Sequence, residues 1–258
     1  IHSSCLNHLS KIKKNSLSGE YYLTDIVKIL SNENKKISFI EIDEEEILGI
    51  NTQLDLSIAE GISQKLIWNR VMINGVKLID PNSTFISYDT KFGKDVIVQP
   101  NVVFGKNVVI DSFVEIKSFS HIEECKVKKG SVIGPFARIR GGTIIGEKSK
   151  VGNFVEIKKS DISNKVKINH LSYVGDTEIG YSTNIGAGTI TCNYDGKNKK
   201  NTKIGKNSFV GSNSTIIAPI KIGDNVTMGA GSVFNKDIPN NNLSIGRAHQ
   251  INKRNKKH

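Results

Sequence analysis

The sequence predicts a mainly β protein: a solenoid of short parallel strands, preceded by a connecting helix and a short mixed α/β segment. Three observations carry this reading. Isoleucine outnumbers leucine by 37 to 12, and ten of the leucines lie before residue 79. Leucine suits helices, whereas β-branched isoleucine is stiff at χ1 and suits a pleated surface. Charge divides at the same place, with 9 basic and 10 acidic groups in residues 1–78 against 27 and 15 in residues 79–258. The third observation is a six-residue period of aliphatic side chains, and it decides the architecture.

Phe92, Val98, Phe104, Ile110, Ile116 and Ile122 recur at intervals of six. Two further runs follow, Ile133, Ile139, Ile145, Val151 and Ile157, then Ile204, Val210, Ile216, Ile222 and Met228. Single five-residue steps bring in Ile162, Ile168, Val174, Ile179 and Ile185. This spacing fits neither the roughly 3.6-residue turn of a helix nor the alternation of a simple strand. It fits a chain that turns a corner every six residues and points one aliphatic side chain inward per face. Three faces make a triangular coil of about eighteen residues, each coil stacked on the last. Glycine often follows the inward residue, as in Ile133-Gly134, Ile145-Gly146, Val151-Gly152, Ile204-Gly205 and Val210-Gly211, and Gly or Asn beside the inward residue is expected to supply positive φ at the corner. The pattern resembles the hexapeptide-repeat, left-handed parallel β-helix, and it covers roughly residues 84–235.

The register breaks near residues 190–203, a polar and basic stretch that reads as a loop extruded from a corner. Such a loop either carries function on a rigid base or is a tolerated insertion. Ahead of the repeat, Glu20–Asp25 opens a helix through Leu30, with Thr24 or Asp25 near its start. Ile37–Ile42 reads as a short strand. Leu56–Met72 reads as a second helix, with Ile58, Ile62, Leu66 and Ile67 near helical spacing. Residues 1–60 are therefore expected to be the end of a larger α/β domain, 61–78 a linker helix, 79–248 the solenoid, and 249–258 a basic tail bearing Lys253, Arg254, Lys256 and Lys257.

Composition excludes several classes. No stretch approaches the roughly 18 apolar residues of a membrane span, and no signal peptide is visible. Cys5, Cys125 and Cys192 are an odd, widely spaced set, which indicates neither a disulfide framework nor a zinc site. No glycine-rich phosphate cradle occurs. The net charge of +11 has two readings, the codon usage of an AT-rich genome or a surface that binds anions. The chain opens on Ile1 rather than methionine, as a fragment would.

Three segments narrow the function: residues 134–159 (Gly-Pro-Phe-Ala-Arg-Ile-Arg, then Val-Gly-Asn-Phe-Val-Glu-Ile-Lys-Lys), residues 170–176 (His-Leu-Ser-Tyr-Val-Gly-Asp), and residues 184–196 (Asn-Ile-Gly-Ala-Gly-Thr-Ile-Thr-Cys-Asn-Tyr-Asp-Gly). Together they resemble the bacterial bifunctional N-acetylglucosamine-1-phosphate uridyltransferase/glucosamine-1-phosphate acetyltransferase family. Glu-Tyr-Tyr-Leu-Thr-Asp and Gly-Ile-Asn-Thr-Gln-Leu, early in the chain, match the end of that family's uridyltransferase domain. The glycine-rich loop for UTP and the following magnesium-binding aspartate of that domain are missing. Asn51 matches its second magnesium ligand, but one amide oxygen cannot hold a hard octahedral cation. The resemblance therefore implies an acetyltransferase without uridyltransferase activity, either a fragment or a naturally shortened enzyme, with Mg2+ relevant to the absent reaction only.

The resemblance also assigns roles. An amine attacks a thioester only as the free base, so a general base is needed, and His170 matches the family's catalytic histidine. Developing charge on the thioester oxygen needs a fixed donor, and the family places a backbone N–H near Ala187, between Gly186 and Gly188. Arg140 and Lys158 match residues that contact the phosphate and sugar, Arg as a fork and Lys as a point charge. Tyr173 and Asn184 match further sugar contacts. Asn193, Tyr194 and Lys199 lie on the extruded loop, which in the family reaches over a neighbouring subunit's active site. Ser212, Ala230 and Arg247 match acetyl-CoA contacts. One departure is local: Gly141-Gly142 follows Arg140, where the family commonly has Pro-Gly. The resemblance further implies a homotrimer in a bacterial cytoplasm, acting on glucosamine 1-phosphate and acetyl-CoA, with neither nucleic acid nor membrane as partner. Competing readings are a hexapeptide acyltransferase for another small amine and a non-catalytic structural solenoid. A hexapeptide carbonic anhydrase would need three histidines on neighbouring coils, and only His121 and His170 lie in the repeat. Nucleic-acid binding is disfavoured by the scarcity of aromatics that could stack on bases.

Overall fold

The computed structural model describes residues 3–253, so Arg254, Lys256 and Lys257 of the basic tail lie outside the described residues. The chain divides into two compact units, residues 1–59 and 60–258.

The first unit contains a 3-10 helix, Ser3–Lys11, the helix α1, Asp25–Asn32, and a second 3-10 turn, Glu44–Ile47. Thr24 stands at the N-cap of α1, with no side-chain capping bond. Glu33, just past its last turn, accepts from Lys11 Nζ at 2.5 Å and lies 2.8 Å from His8 Nε2. These neighbours, Lys11 first, hold its carboxyl below the usual range. The segment Ile37–Ile42 is not the strand its apolar pattern suggests. A strand is held by a neighbour's backbone, and among the described residues none lies beside this one, which leaves Phe39 and Ile40 85% and 87% exposed.

The helix α2, Gln53–Ile73, extends a little beyond both of its expected ends. Its start is capped reciprocally: Asp55 N–H donates to Thr52 Oγ1 at 3.1 Å, and Asp55 Oδ2 accepts from the N–H groups of Thr52 and Asn51 at 2.8 and 3.1 Å. The buried face is Ile67 and Val71, with Trp68 packed beside them, whereas Ile58 and Leu66 are 48% and 62% exposed. Polar groups fix that rotation. The Gln64 carboxamide both donates to Ile86 O and accepts from Ile86 N–H, each at 2.9 Å, and Trp68 Nε1 donates to Thr84 O at 2.9 Å. Gln64 thus offers the first coil what another strand would offer, and a sheet edge that would otherwise be open is closed.

Beyond α2 the described residues wind into 27 short parallel strands in three sheets of ten, nine and eight. Neighbours are three strands apart in chain order, except for the last pair of the ten-stranded sheet, which are two apart. This is a left-handed parallel β-helix, and its strands run from Lys77–Leu78 to Leu243–Ser244, past both ends of the visible repeat. Val98, Ile116, Ile133, Val151, Ile168 and Ile185 are successive register partners in the ten-stranded sheet, so a coil is 17 or 18 residues. The aliphatic runs form the core. Phe92, at the beginning, is only half-buried and meets Phe104 edge-on at 5.1 Å.

The period of six misses a second inward position, two residues before each aliphatic. Early coils fill it with Val96, Val102, Val108 and Val114, and later ones mainly with Ser and Thr. These buried hydroxyls bridge coils. Ser131 Oγ donates to Gly146 O at 2.7 Å and accepts from Ser149 N–H at 3.2 Å, and Ser149 Oγ donates to Ser163 O at 2.9 Å and accepts from Val166 N–H at 3.0 Å. Ser131 and Ser149 each both give and take, so their burial costs little, whereas the Thr90, Thr143, Thr202 and Ser232 hydroxyls at the same kind of position are buried without a partner among the described residues. Cys125 is also buried, which pushes its thiol up to about 12, and all three cysteines are free.

The corner chemistry corrects one expectation. Positive φ falls three residues after the inward aliphatic, at Asn101, Asn107, Phe119, Phe136, Phe154, Leu171 and Asn213 among others, and most glycines directly after the aliphatic do not use it. Close approach requires those glycines instead. A Cβ on Gly152 would lie 2.0 Å from Asn169 O, and one on Gly211 2.4 Å from Ala230 N. Three of the left-handed corners are stacked phenylalanines, with centroids 4.8 Å apart for Phe119–Phe136 and 5.1 Å for Phe136–Phe154.

Two substitutions test this packing by urea unfolding. Ile157→Ala opens a cavity and is expected to cost about 2–5 kcal/mol. Gly152→Ala forces two coils apart and is expected to cost about 1–3 kcal/mol. A Gly152→Ala protein as stable as its parent would show that coil spacing does not select glycine there.

Candidate functional site

Stacking places equivalent corners one above another, and this assembles two groups from residues far apart in sequence. The first lies where the ten-stranded sheet turns into the nine-stranded one. Leu171 N–H donates to Asn153 O at 3.0 Å, Gly188 N–H to His170 O at 3.3 Å, Asn213 N–H to Ala187 O at 2.7 Å, and Gly231 N–H to Ser212 O at 2.8 Å. Asn153, His170, Ala187, Ser212 and Ala230 are therefore successive steps of one column. His170 is exposed, and its Nδ1 lies 2.6 Å from Asn153 Oδ1. At the next step Gly188 takes the corner's positive φ of 73°. Gly186 and Gly188 spend their N–H groups on Val210 O and His170 O, whereas among the described residues no acceptor takes the Ala187 N–H. Arg247 joins the column at its far end, where Nη1 donates to Ala230 O at 2.8 Å.

The second group lies where the nine-stranded sheet turns into the eight-stranded one. Arg140 Nη1 pairs with Glu156 Oε1 at 2.8 Å, which holds the guanidinium and raises its already high pKa. Lys158 follows one coil later, and the loop brings Lys199 beside it. Lys199 pushes the Lys158 ammonium below its ordinary pKa, first through a side-chain hydrogen bond and then through like charge, with smaller effects from Arg140, burial and Lys159. Three cations thus converge on an exposed corner. Tyr173 lies on the face between the two groups. A Cβ at Gly175 would sit 2.5 Å from Tyr173 Oη and 2.7 Å from Asn193 Nδ2, so the phenol runs along the sheet toward the root of the loop.

The loop has structure of its own. It lengthens one coil, Ile185 to Val210, to 25 residues. Tyr194 and Lys199 bridge in antiparallel fashion, and Asp195 Oδ1 caps the turn by accepting from Lys197 and Asn198 N–H at 2.9 and 2.7 Å. Those N–H groups, Asn198 first, hold the Asp195 carboxyl below its usual range. Asn193 is buried, and its Nδ2 donates to Asp176 Oδ2. Asn193 therefore anchors the loop, while Tyr194 is exposed and donates from its hydroxyl to Gly196 O at 2.6 Å. Asn184 belongs to neither group; it stands in the ten-stranded sheet between Lys167 and Phe209.

Two participants escaped the sequence reading, Asn153 and Glu156. Asn153 lies one coil before His170 and Glu156 about one coil after Arg140, so the signal that would have found them is the coil length counted back from His170 and forward from Arg140. Asn51 lies in the first unit, ahead of α2, and its N–H is bound by Asp55. Among the described residues no group of three or more His, Cys, Asp or Glu side chains could hold a metal. A single amide oxygen does not fit magnesium, and no step is assigned to that ion.

Known proteins share this pattern. The family of the bacterial transferase hexapeptide (six repeats) matches residues 124–159 and 201–236. The bifunctional protein GlmU of Anaplasma marginale is 48% identical over 235 residues, covering 91% of this chain and 55% of that protein. The protein of the same name from Zymomonas mobilis is 47% identical over 245 residues, 95% of this chain and 54% of that one. Among solved structures, the UDP-N-acetylglucosamine acyltransferase of Campylobacter jejuni aligns with a TM-score of 0.43 at 17% identity, over 63% of this chain and 68% of that one. The chain spans about half the length of the curated relatives it matches. Over nearly all of its own length, it is a homologue of the bifunctional GlmU proteins.

Proposed function

We propose that this chain is a glucosamine-1-phosphate N-acetyltransferase. It transfers acetyl from acetyl-CoA to the 2-amino group of glucosamine 1-phosphate, giving N-acetylglucosamine 1-phosphate and CoA, in a bacterial cytoplasm, for UDP-N-acetylglucosamine synthesis. The observation that carries the reading is the stacking of exposed His170 in one column with Ala187, Ser212 and Ala230. A single strand-wide face separates that column from the Arg140, Lys158 and Lys199 cations.

Each part of the reaction has a candidate group. The cations bind the sugar phosphate, and Arg247, at the end of the column, meets CoA phosphate. Ser212 and Ala230 line the CoA path, and Tyr173 and Asn184 hold sugar hydroxyls. The amine nitrogen attacks the thioester carbon and His170 takes its proton. Charge on the carbonyl oxygen falls to the unspent Ala187 N–H. As the tetrahedral centre collapses the C–S bond breaks, and the departing thiolate takes the proton from His170. Residues 79–248 form the acetyltransferase domain, residues 1–60 a piece of the uridyltransferase domain, and residues 61–78 the linker. The family resemblance supports a homotrimer with active sites between adjacent solenoids, over which Asn193 anchors the loop carrying Tyr194 and Lys199.

Three measurements test this function. Free thiol is expected to appear when acetyl-CoA and glucosamine 1-phosphate are mixed with the protein. No release, or equal release with glucosamine 6-phosphate, overturns the assignment. His170→Ala is expected to lower kcat by about 10²–10⁴-fold while sedimentation still shows a trimer; full turnover would remove His170 as the base. Lys199→Gln is expected to raise KM for glucosamine 1-phosphate more than KM for acetyl-CoA. In the same variant Lys158 should titrate at higher pH, since a repelling charge is gone, as followed by lysine NMR.

A further inference from the structure

We propose that Asn153 is a positioning residue that holds the His170 imidazole in its Nδ1–H tautomer, so that Nε2 keeps the lone pair that takes the substrate's proton. The proton-accepting role rests on the acetyltransferase reading; the tautomer does not.

The backbone is built to make this contact. Most strands of the solenoid have two or three residues, and among the described residues only Lys150–Asn153 and Lys167–His170 have four. These two are neighbours, and the added length ends on the register pair Asn153 and His170. The ladder therefore continues to the rim of the corner, where equivalent strands have already stopped. Gly152 is what lets it continue, since any Cβ there would collide with Asn169 O. Beyond the pair the chain is held from both sides: Leu171 N–H donates to Asn153 O at 3.0 Å, and His170 O accepts from Ser172 Oγ at 2.8 Å. With both backbones fixed, the two side chains meet at 2.6 Å, Nδ1 to Oδ1.

An amide oxygen only accepts, so this contact requires the proton on Nδ1. In a neutral imidazole that leaves Nε2 unprotonated, which is what a general base requires. The ring is exposed, so no packing would otherwise choose its orientation or tautomer. A reversed amide, with Nδ2 donating to Nδ1, would put the proton on Nε2 and disable the base at that atom. An aspartate at position 153 can only accept, and so must favour the proposed tautomer.

Long-range ¹⁵N–¹H spectra of the intact protein, at a pH where the imidazole is neutral, read the tautomer directly; His170→Ala identifies the His170 signals by their loss. The wild-type protein and Asn153→Asp are expected to show protonated Nδ1. Asn153→Leu is expected to drift toward the other tautomer and to lose roughly tenfold to a hundredfold in kcat, the usual cost of losing a group that orients another. Its KM for acetyl-CoA should not move, and Asn153→Asp should recover most of the lost turnover. Protonated Nε2 in the wild-type protein overturns the proposal, as does an Asn153→Leu protein that keeps both tautomer and turnover. If Asn153→Leu does not fold, the wild-type and Asn153→Asp spectra decide. If the wild-type protein has no acetyltransferase activity, the functional reading falls while the spectra still judge Asn153.

Discussion

Everything in the second unit depends on one distance, the spacing of hydrogen-bonded strands, roughly 4.8 Å, at which each coil rests on the last. That spacing leaves no room for a side chain where two backbones cross, which is why glycine stands at Gly152 and Gly211. It also leaves a thin triangular interior, filled by one aliphatic and one small residue per face. In the later coils the small residue is largely Ser or Thr, whose hydroxyl ties one coil to the next. The core is thus partly a polar ladder, and hydroxyls such as those of Ser131 and Ser149 are tolerated in it because each has both a donor and an acceptor within reach.

The same spacing creates the site. Corners repeat every 17 or 18 residues, so a residue's nearest functional neighbour is one coil away rather than beside it in the chain. His170 meets Asn153, and Arg140 meets Glu156, by this rule. At one corner the stack offers an exposed imidazole and an unspent N–H. At the next it gathers cations whose mutual repulsion is visible in the lowered pKa of Lys158. Repulsion of that kind is relieved by an anion, so the cluster is more favourable with a phosphate than without one.

The loop adds what a bare coil cannot. Asn193 is clamped to Asp176 at its root, and Asp195 stiffens its turn, so Lys199 is delivered to Lys158 instead of ranging through solvent. A rigid base with an anchored arm is a common way for a solenoid to gain an active site without disturbing its core.

The sequence by itself determined the coil. A period of six names its inward residues, and all but the terminal Phe92 are fully buried, because burial on a regular repeat is a local property of spacing. It also located the loop, and through motif resemblance it named His170 and its companions. What it could not determine was anything that depends on two segments meeting. The apolar run Ile37–Ile42 looks like a strand but has no neighbour to pair with among the described residues. The helix α2 turns its Ile67 and Val71 face inward because Gln64 and Trp68 bond to the first coil. Positive φ belongs to corners three residues beyond the inward side chain, and glycine is required where coils touch. The partners of His170 and Arg140 are set by register across a coil. Strand pairing joins residues that the sequence keeps 17 apart, and only the tertiary structure decides which atoms then face each other.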